Sequence, residues 1–297
     1  MRKGTIFTVG LLALALGLGA GDAFAKGAKK KAAGKKTAAA AKAKPAPKAD
    51  TKAVTELMGQ FKWGMTPDEV TDVIGKGIDA KYAEKLKETT DVFEQNKLRK
   101  AAVAERKKIK DSYLEFKDKE TPWDVSIIDR EFDHKDDESM FWTWENDPAS
   151  GKDQRRFYFF VDGKLWKMFI QFNAAVFEDK TFADFQAAME KRYGAGAIEM
   201  RKTRSGVEEF DFIYWKSGGT FLRAIDLTKF YSSFCIAISD DSVEKWIGQR
   251  RAERNPKGNR DNAIADAVAE DPTKVTPNKP PEDNSDAVDK ITGGGGK

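Results

Sequence analysis

The stretch "RFYFFVDGKLWKMFIQF" (residues 156–172) carries the strongest hairpin signal in the chain. Asp162-Gly163 is a favoured two-residue turn between antiparallel strands, and it separates two runs rich in aromatic and β-branched side chains. The pattern predicts strands over Arg156–Val161 and Lys164–Phe172. Alternation in the second strand puts Trp166, Met168, Ile170 and Phe172 on one face, and Leu165, Lys167, Phe169 and Gln171 on the other. Because the second group includes a lysine and a glutamine, we expect that face to be only partly covered.

The chain after this hairpin continues with one helix, three strands and a final helix. An apolar stripe at helical spacing predicts a helix over Phe182–Tyr193, ended by Gly194. Alternating patterns predict strands over Glu209–Trp215, Phe221–Leu227 and Phe230–Ile238, with a turn at residues 216–219. A capping pattern at Asp241 begins a helix that runs to Arg254.

The chain before the hairpin begins with helices. Thr66-Pro67-Asp68-Glu69 is a capping box that starts a helix, and Gly75 and Gly77 are expected to end it. Residues 78–121 contain no Gly or Pro and are highly charged, which predicts one long kinked helix or two stacked helices. This segment either docks by one apolar stripe or protrudes and pairs with a partner helix. Two further strands are predicted at Val125–Phe132 and Met140–Glu145.

Helices that are segregated from runs of hairpin strands predict an α+β fold, with antiparallel sheets packed by helices. The globular core is expected to span residues 53–254. The order of elements allows two related helix-plus-sheet units, residues 53–175 and 176–254.

The residues Trp63-Gly64-Met65-Thr66-x-x-Glu69-Val70 resemble the opening of small bacterial envelope domains. These are the outer-membrane assembly lipoproteins of the SmpA/OmlA type and the related β-lactamase-inhibitor-like fold, in which a helix pair packs on an antiparallel sheet. The match covers these eight residues, and the chain departs from the pattern in its long charged helix and its lack of a lipid-modified Cys. The resemblance implies an envelope protein that binds other proteins, and it carries over no catalytic residue.

The N-terminal residues predict export. Arg2 and Lys3 precede an apolar run from Thr5 to Gly21, and Ala23-Phe24-Ala25 fits a cleavage site. This is the composition of a secretory signal peptide over residues 1–25; an uncleaved anchor is the alternative. Cleavage there would release a periplasmic or secreted chain beginning at Lys26.

Both ends of the mature chain are expected to be disordered. Residues 26–52 form a Lys/Ala-rich arm, and residues 255–297 form a polar tail rich in Pro, Gly and acids. The arm is either a spacer or an electrostatic tether to anionic lipid or wall polymers, through lysines that include Lys29, Lys30, Lys31, Lys35 and Lys36. The whole chain carries +4; subtracting +1 for residues 1–25, +9 for residues 26–48 and −2 for the tail leaves −4 for residues 49–254. No nucleic-acid partner is therefore expected.

The sequence favours few kinds of catalytic chemistry. His134 is the single His and lies in an acidic run that predicts an exposed loop, while Cys235 is expected to be a buried, inert thiol. The carboxylate pairs Asp129/Glu131 and Glu208/Glu209 could serve a glycoside hydrolase, but such pairs are common in a highly charged chain. We therefore predict no catalytic residue, no metal site and no cofactor.

Aromatic residues in the strands are the candidate binding residues. Trp142, Trp144, Phe169 and Tyr231 could lie on an open sheet face and anchor a peptide or a glycan. The leading hypothesis is an exported, non-enzymatic protein that binds an envelope protein or polymer. The alternatives are a carboxylate-dependent hydrolase of cell-wall or glycan substrates and a structural spacer protein.

Overall fold

The computed structural model describes residues 50–147, 152–173, 180–203 and 206–254. The signal peptide, the lysines of the arm and the C-terminal tail lie outside the described residues. The helices are α1 (Thr51–Met58), α2 (Pro67–Lys87), α3 (Val92–Asp111), α4 (Phe182–Tyr193), α5 (Thr228–Tyr231) and α6 (Asp241–Arg254). The strands are β1 (Leu114–Glu115), β2 (Glu138–Asp147), β3 (Lys152–Val161), β4 (Lys164–Asn173), β5 (Ala197–Lys202), β6 (Glu208–Ser217), β7 (Thr220–Asp226) and β8 (Ser233–Asp240).

The strands form one antiparallel sheet in the order β1-β2-β3-β4-β8-β7-β6-β5. The α+β prediction is confirmed, with a single sheet where several were allowed. Each half of the chain contributes four strands, and the halves meet where β4 pairs with β8. These two central strands are buried along almost their whole length. Among the described helices, none is long and apolar enough to cross a membrane.

The two faces of the sheet are covered by different parts of the chain. The face that we call the helix face packs against α1, α2 and α4, through side chains such as Phe160, Ile170 and Ile236. The opposite face, the loop face, packs against residues 116–134 and α6, through side chains such as Phe157, Phe169 and Cys235. The core therefore consists of two apolar layers, one on each side of the sheet.

The predicted β3–β4 hairpin is confirmed, but its register contains a bulge. Asp162 and Gly163 both have positive φ, at 50° and 66°, as this type of two-residue turn requires. Phe160 pairs with Leu165, whereas Phe159 pairs with Lys167. Trp166 is thus the extra residue, and it points to the loop face while Leu165 points to the helix face. The predicted faces of Leu165 and Trp166 were therefore wrong, because a bulge reverses the alternation.

The predicted end of the first helix at Gly75 and Gly77 is also wrong, since α2 continues to Lys87. The predicted capping box is present, because Thr66 and Glu69 exchange both of its hydrogen bonds. Gly75 has a packing role: a Cβ there would lie 3.3 Å from the guanidinium carbon of Arg106, which donates to the Gly75 carbonyl at 3.1 Å. A glycine in this helix therefore marks the close approach of α3.

Residues 78–121 form most of an α2–α3 hairpin, so the two-helix alternative is correct. Asp91 caps α3 by accepting the N–H of Phe93 at 2.8 Å. The buried side chains of α2 and α3 lie at the end of the hairpin near the sheet, and Phe93 at the other end is exposed.

The strand predicted at Val125–Phe132 is absent, and residues 121–134 form successive turns instead. Backbone hydrogen bonds join Asp129 to Ser126 and Glu131 to Ile128, at 3.1 and 2.9 Å. Ile127, Ile128 and Phe132 are buried as expected for an apolar strand, but they fill the loop-face layer from above the sheet. Burial of these side chains, and not strand pairing, explains the apolar pattern.

Five other elements differ from the sequence predictions. The helix α1 begins at Thr51, so residues 51 and 52 belong to it and not to the arm. Strand β8 begins at Ser233, because residues 228–231 form the short helix α5. The edge strands β1 and β5 were not predicted.

Candidate functional site

Three adjacent strands place an exposed tryptophan beside an arginine and a glutamine on the loop face. Trp144 of β2 pairs with Arg155 of β3, which pairs with Gln171 of β4. Directly paired residues project from the same face of a sheet. The side chain of Trp144 is 58% exposed, whereas Arg155 and Gln171 are half-buried. We call Trp142, Trp144, Asp153, Arg155 and Gln171 the Trp144 platform.

The aromatic rings of the platform are held by specific contacts. The indole N–H of Trp144 donates to Oδ1 of Asp153 at 3.0 Å. Asp153 also accepts from the side-chain amide of Asn173, at 3.0 Å. These bonds fix the exposed ring in one orientation, so it can contact a partner at little cost in side-chain entropy.

The charge of Arg155 has no carboxylate partner within the described parts of the chain. Its guanidinium lies 5.3 Å from the centre of the Trp142 ring, a cation–π contact. Trp142 in turn packs edge-on against Trp123, at 6.0 Å between ring centres. Nε of Arg155 and Oε1 of Gln171 are both buried without a hydrogen-bond partner. Among the described residues, the platform thus combines an exposed ring with a cation whose Nε has no hydrogen-bond partner.

The four predicted binding residues are not all at this surface. Trp142 and Trp144 belong to the platform, but Phe169 is fully buried under residues 116–134 and is excluded as a contact residue. Tyr231 is half-buried, packs against the loop-face core and precedes β8. Since β8 is three strands from β2, the β8 residue in line with Trp144, Cys235, lies about 14 Å across the sheet from it, and Tyr231 precedes that strand.

Sequence reasoning missed the polar members of the platform, Asp153, Arg155 and Gln171. The hairpin turn alone would have placed Arg155 opposite Ile170, and the bulge at Trp166 shifts it to Gln171. The signal that could have found Gln171 is its polar side chain between the apolar Ile170 and Phe172, whereas Arg155 lies in the polar first half of β3 and has no such contrast.

A buried ionic cluster holds residues 121–134, which we call the turn-rich segment, onto the loop face. Glu131 accepts from Lys167 and Arg223, with Oε2 at 2.9 and 2.8 Å from the two cationic nitrogens. Burial alone would raise the pKa of Glu131, but the charges of Arg223 and Lys167 outweigh it and lower that pKa. Glu131 is therefore ionised and fully engaged within the fold.

A second group of carboxylates, Asp136 and Glu138, follows the turn-rich segment in the chain and contacts α6. Arg251 is bonded to both Asp136 and Glu138, and Arg254 contacts Asp136 at 2.6 Å. Burial raises the pKa of Glu138 to about 7, against the opposing charges of Arg251 and Lys167. A raised pKa is typical of a general acid, but the Glu138 side chain is completely buried and does not reach solvent. This arrangement favours a structural role for Glu138.

His134 was predicted to lie in an exposed loop, and this prediction is wrong. Its Nδ1 lies 2.6 Å from the carbonyl oxygen of Phe116, its Nε2 contacts Asp124, and its ring packs against Phe132. The side chain is only 15% exposed, because these contacts fasten the two ends of the turn-rich segment together. Within the described residues, no group of three or more His, Cys, Asp or Glu side chains is arranged to hold a metal ion.

Cys235 is buried, as predicted, and burial raises the pKa of its thiol well above the usual value. A separate depression between α2 and α3 has a volume of about 50 Å³ and is lined by Thr71, Asp72, Gly75, Arg106, Ile109 and Lys110. It has room for one or two water molecules and is far smaller than a typical ligand pocket.

Comparison of this chain with protein-family models, with curated proteins and with solved structures finds no match. The site must therefore be interpreted from its own chemistry: a rigidly held, exposed indole beside an arginine that no described carboxylate neutralises.

Proposed function

We propose that this chain is an exported, non-enzymatic binding protein, and that it holds an acidic protein or polymer of the cell envelope on the Trp144 platform. One observation carries the proposal: the exposed ring of Trp144 is fixed by Asp153 and lies beside the unneutralised charge of Arg155. Tryptophan and arginine are the side chains that most often dominate the binding energy of an interface. A carboxylate next to a flat apolar group would satisfy both of them.

Export is part of the same proposal and rests on the first 25 residues. Arg2 and Lys3, the apolar run and Ala23-Phe24-Ala25 have the order of charge, hydrophobicity and small residues that signal peptidase substrates share. N-terminal sequencing of the protein purified from cells should give Lys26 as the first residue. Recovery of the intact N-terminus from the cytosolic fraction would contradict export.

The binding experiment is co-sedimentation of the purified full chain, after any processing, with envelope fragments. The variant Trp144→Ala/Arg155→Gln should bind roughly tenfold or more weakly. The matched control is Trp246→Ala/Arg250→Gln, because Trp246 on α6 is also exposed and also carries an arginine over its ring, at 4.7 Å. Equal losses in the two variants, or no loss in either, would refute the platform as the binding site.

The basic arm would add a separate, electrostatic contribution. Residues 26–48 contain nine lysines and no acid, so their contact with anionic lipid or wall polymers should weaken steeply as salt rises. A variant that lacks residues 26–48 should lose only the fraction of binding that high salt removes. If this deletion abolishes binding at high salt as well, the arm and not the platform is the main contact.

A further inference from the structure

The strand β5 (Ala197–Lys202) forms one end of the sheet and has an open edge. It pairs with β6 on one side, and no strand in the described part of the chain pairs with the other. The outer N–H and C=O groups of such a strand are ready to pair with another strand. Proteins that avoid this pairing usually place charges or proline along the edge. Strand β5 has no proline, and its charged residues Glu199, Arg201 and Lys202 include both signs, which can attract a second strand in a matching register.

The surface beside this edge is apolar. Ile198 and Met200 of β5 are 59% and 47% exposed, and Phe210 of β6 is 38% exposed. Ile198 pairs with Ile213, which belongs to the helix-face core, and Met200 pairs with Phe210. Phe210 also packs against Phe182 of α4, at 5.5 Å between ring centres. The helix face therefore ends at β5 in an exposed apolar strip formed by Ile198, Met200 and Phe210.

The sequence of β5 can pair with itself, antiparallel, in a register that sets opposite charges against each other. A two-fold axis through Met200, perpendicular to the sheet, would place Glu199 of each copy opposite Arg201 of the other. It would also place Met200 opposite Met200 and Ile198 opposite Lys202, so the two apolar strips lie on the same face and meet at Met200. Registers centred on Glu199 or Arg201 would instead set like charges opposite each other, which is destabilising.

Arg201 is already paired with carboxylates of its own chain, and because a guanidinium has five N–H donors it can bind the partner's Glu199 in addition to them. Its guanidinium lies 3.2 Å from Glu209 and 3.9 Å from Asp211 of the neighbouring strand β6. The extra residue in the β5–β6 pairing, Asp211, is on the β6 side. The bulge thus leaves the six residues of β5 in regular alternation at the open edge.

We propose that two copies of this chain pair through β5, antiparallel and centred on Met200, so that one continuous sheet crosses the dimer. This interface is separate from the Trp144 platform, which lies on the loop face at the other half of the sheet. The dimer would present two platforms and would raise the affinity for a polymer with repeated acidic groups.

The register can be tested by disulfide formation in the full chain. Residues directly opposite in a two-stranded pair have Cα atoms about 4.5–5.5 Å apart, within the range that a disulfide spans. Met200→Cys should therefore form a covalent dimer under mild oxidation. In the same register, the two copies of residue 198 lie four residues apart along the strands, about 13 Å, so Ile198→Cys should not cross-link. Cys235 is buried and should not interfere.

Solution mass provides the second test. We expect the wild-type chain to be dimeric by sedimentation at micromolar concentration. The variant Glu199→Lys should raise the dissociation constant of the dimer at least tenfold. The double variant Glu199→Lys/Arg201→Glu should recover dimer formation. Circular dichroism confirms that each variant is folded. A monomeric wild-type chain, or equal cross-linking at positions 198 and 200, would overturn the proposal and leave the β5 edge open to a strand of a different protein.

Discussion

The ammonium group of Lys167 lies 2.9 Å from Oε2 of Glu131, and the two side chains are only 2% and 6% exposed. Lys167 also donates to the backbone carbonyl of Glu131, and its charge lies 4.3 Å from the centre of the Trp166 ring. This lysine projects from the middle of the sheet into the apolar layer of the loop face. It fixes the turn-rich segment to β4 through one buried ion pair.

Removal of Lys167 should therefore destabilise the protein. Lys167→Met leaves Glu131 buried with Arg223 as its remaining cation, and we expect the free energy of unfolding to fall by about 3 kcal/mol. Urea denaturation followed by tryptophan fluorescence measures the change. The double variant Lys167→Met/Glu131→Gln should lose more, because Arg223 is then buried without its carboxylate. A single variant as stable as the wild type would contradict this role.

Glu138 should make the protein less stable as the pH rises towards neutrality. Its pKa is about 7 in the folded protein, above the ordinary value of 4.5 for a glutamate in water, so the folded protein binds this proton more tightly than the unfolded chain does. The stabilisation is complete below the unfolded pKa and is lost as the pH rises through the folded pKa. Relative to Glu138→Gln, the wild type should lose on the order of 2 kcal/mol between about pH 5 and about pH 8.

The comparison between wild type and Glu138→Gln removes the contribution of every other group that titrates in this range. Denaturation curves at both pH values give the two free energies of unfolding for each protein. Parallel changes with pH in the two proteins would show that Glu138 titrates normally.

Two glycines should respond in opposite directions to alanine. A Cβ at Gly196 would lie 2.3 Å from Ile213 and 2.9 Å from Trp215, so Gly196→Ala should cost about 2 kcal/mol or more through overpacking. Gly77 lies in the middle of α2 with no atom within 4 Å of its Cβ position. Gly77→Ala should stabilise by about 0.5–1 kcal/mol, because alanine favours the helix. Thermal melts of the two variants check both signs, and two changes in the same direction would contradict the packing argument.

The thiol of Cys235 should be unreactive in the native protein. It is buried in the loop-face core and its pKa is raised by that burial, so little thiolate forms. A thiol-specific chromogenic reagent should label it only after denaturation. Labelling of the folded protein at a rate near that of a free thiol would show that the core opens on the time scale of the reaction.

The elements predicted correctly are those with a local cause. The Asp162-Gly163 turn, the capping box at Thr66 and the apolar stripe of α4 each act over a few neighbouring residues, so the sequence contains the complete signal. The helix α4 and the helix α6 have the bounds that were predicted from their patterns.

The incorrect predictions have causes distant in the chain. Gly75 accommodates Arg106 from α3, and the apolar residues Ile127 and Ile128 are buried against a sheet face that later strands create. The bulge at Trp166 likewise brings Lys167 to the side of Glu131, which belongs to a different segment. In each case the residue type satisfies a tertiary contact, and the local pattern suggests an element that does not form.

The difference between local and distant causes also explains why only part of the candidate site could be predicted. Trp142 and Trp144 were identified because tryptophans in a strand are conspicuous. Phe169 has the same aromatic character, but whether it is exposed depends on residues 116–134, which were expected to form a strand instead of a cover. The roles of Arg155 and Gln171 depend on a register that the turn alone does not define.

The junction between β4 and β8 has a consequence for how the chain folds. Apart from β1 and β2, which are separated by residues 116–137, the paired strands within each half are joined by short connections, whereas Lys167 and Ser239 are paired across about 70 residues. Non-local pairing of this kind slows folding, so the pairing of β4 with β8 should form last. Until these two strands pair, each half exposes an apolar strand, and the other half of a second chain could pair with it equally well. The two halves can therefore be exchanged between molecules during synthesis at high concentration.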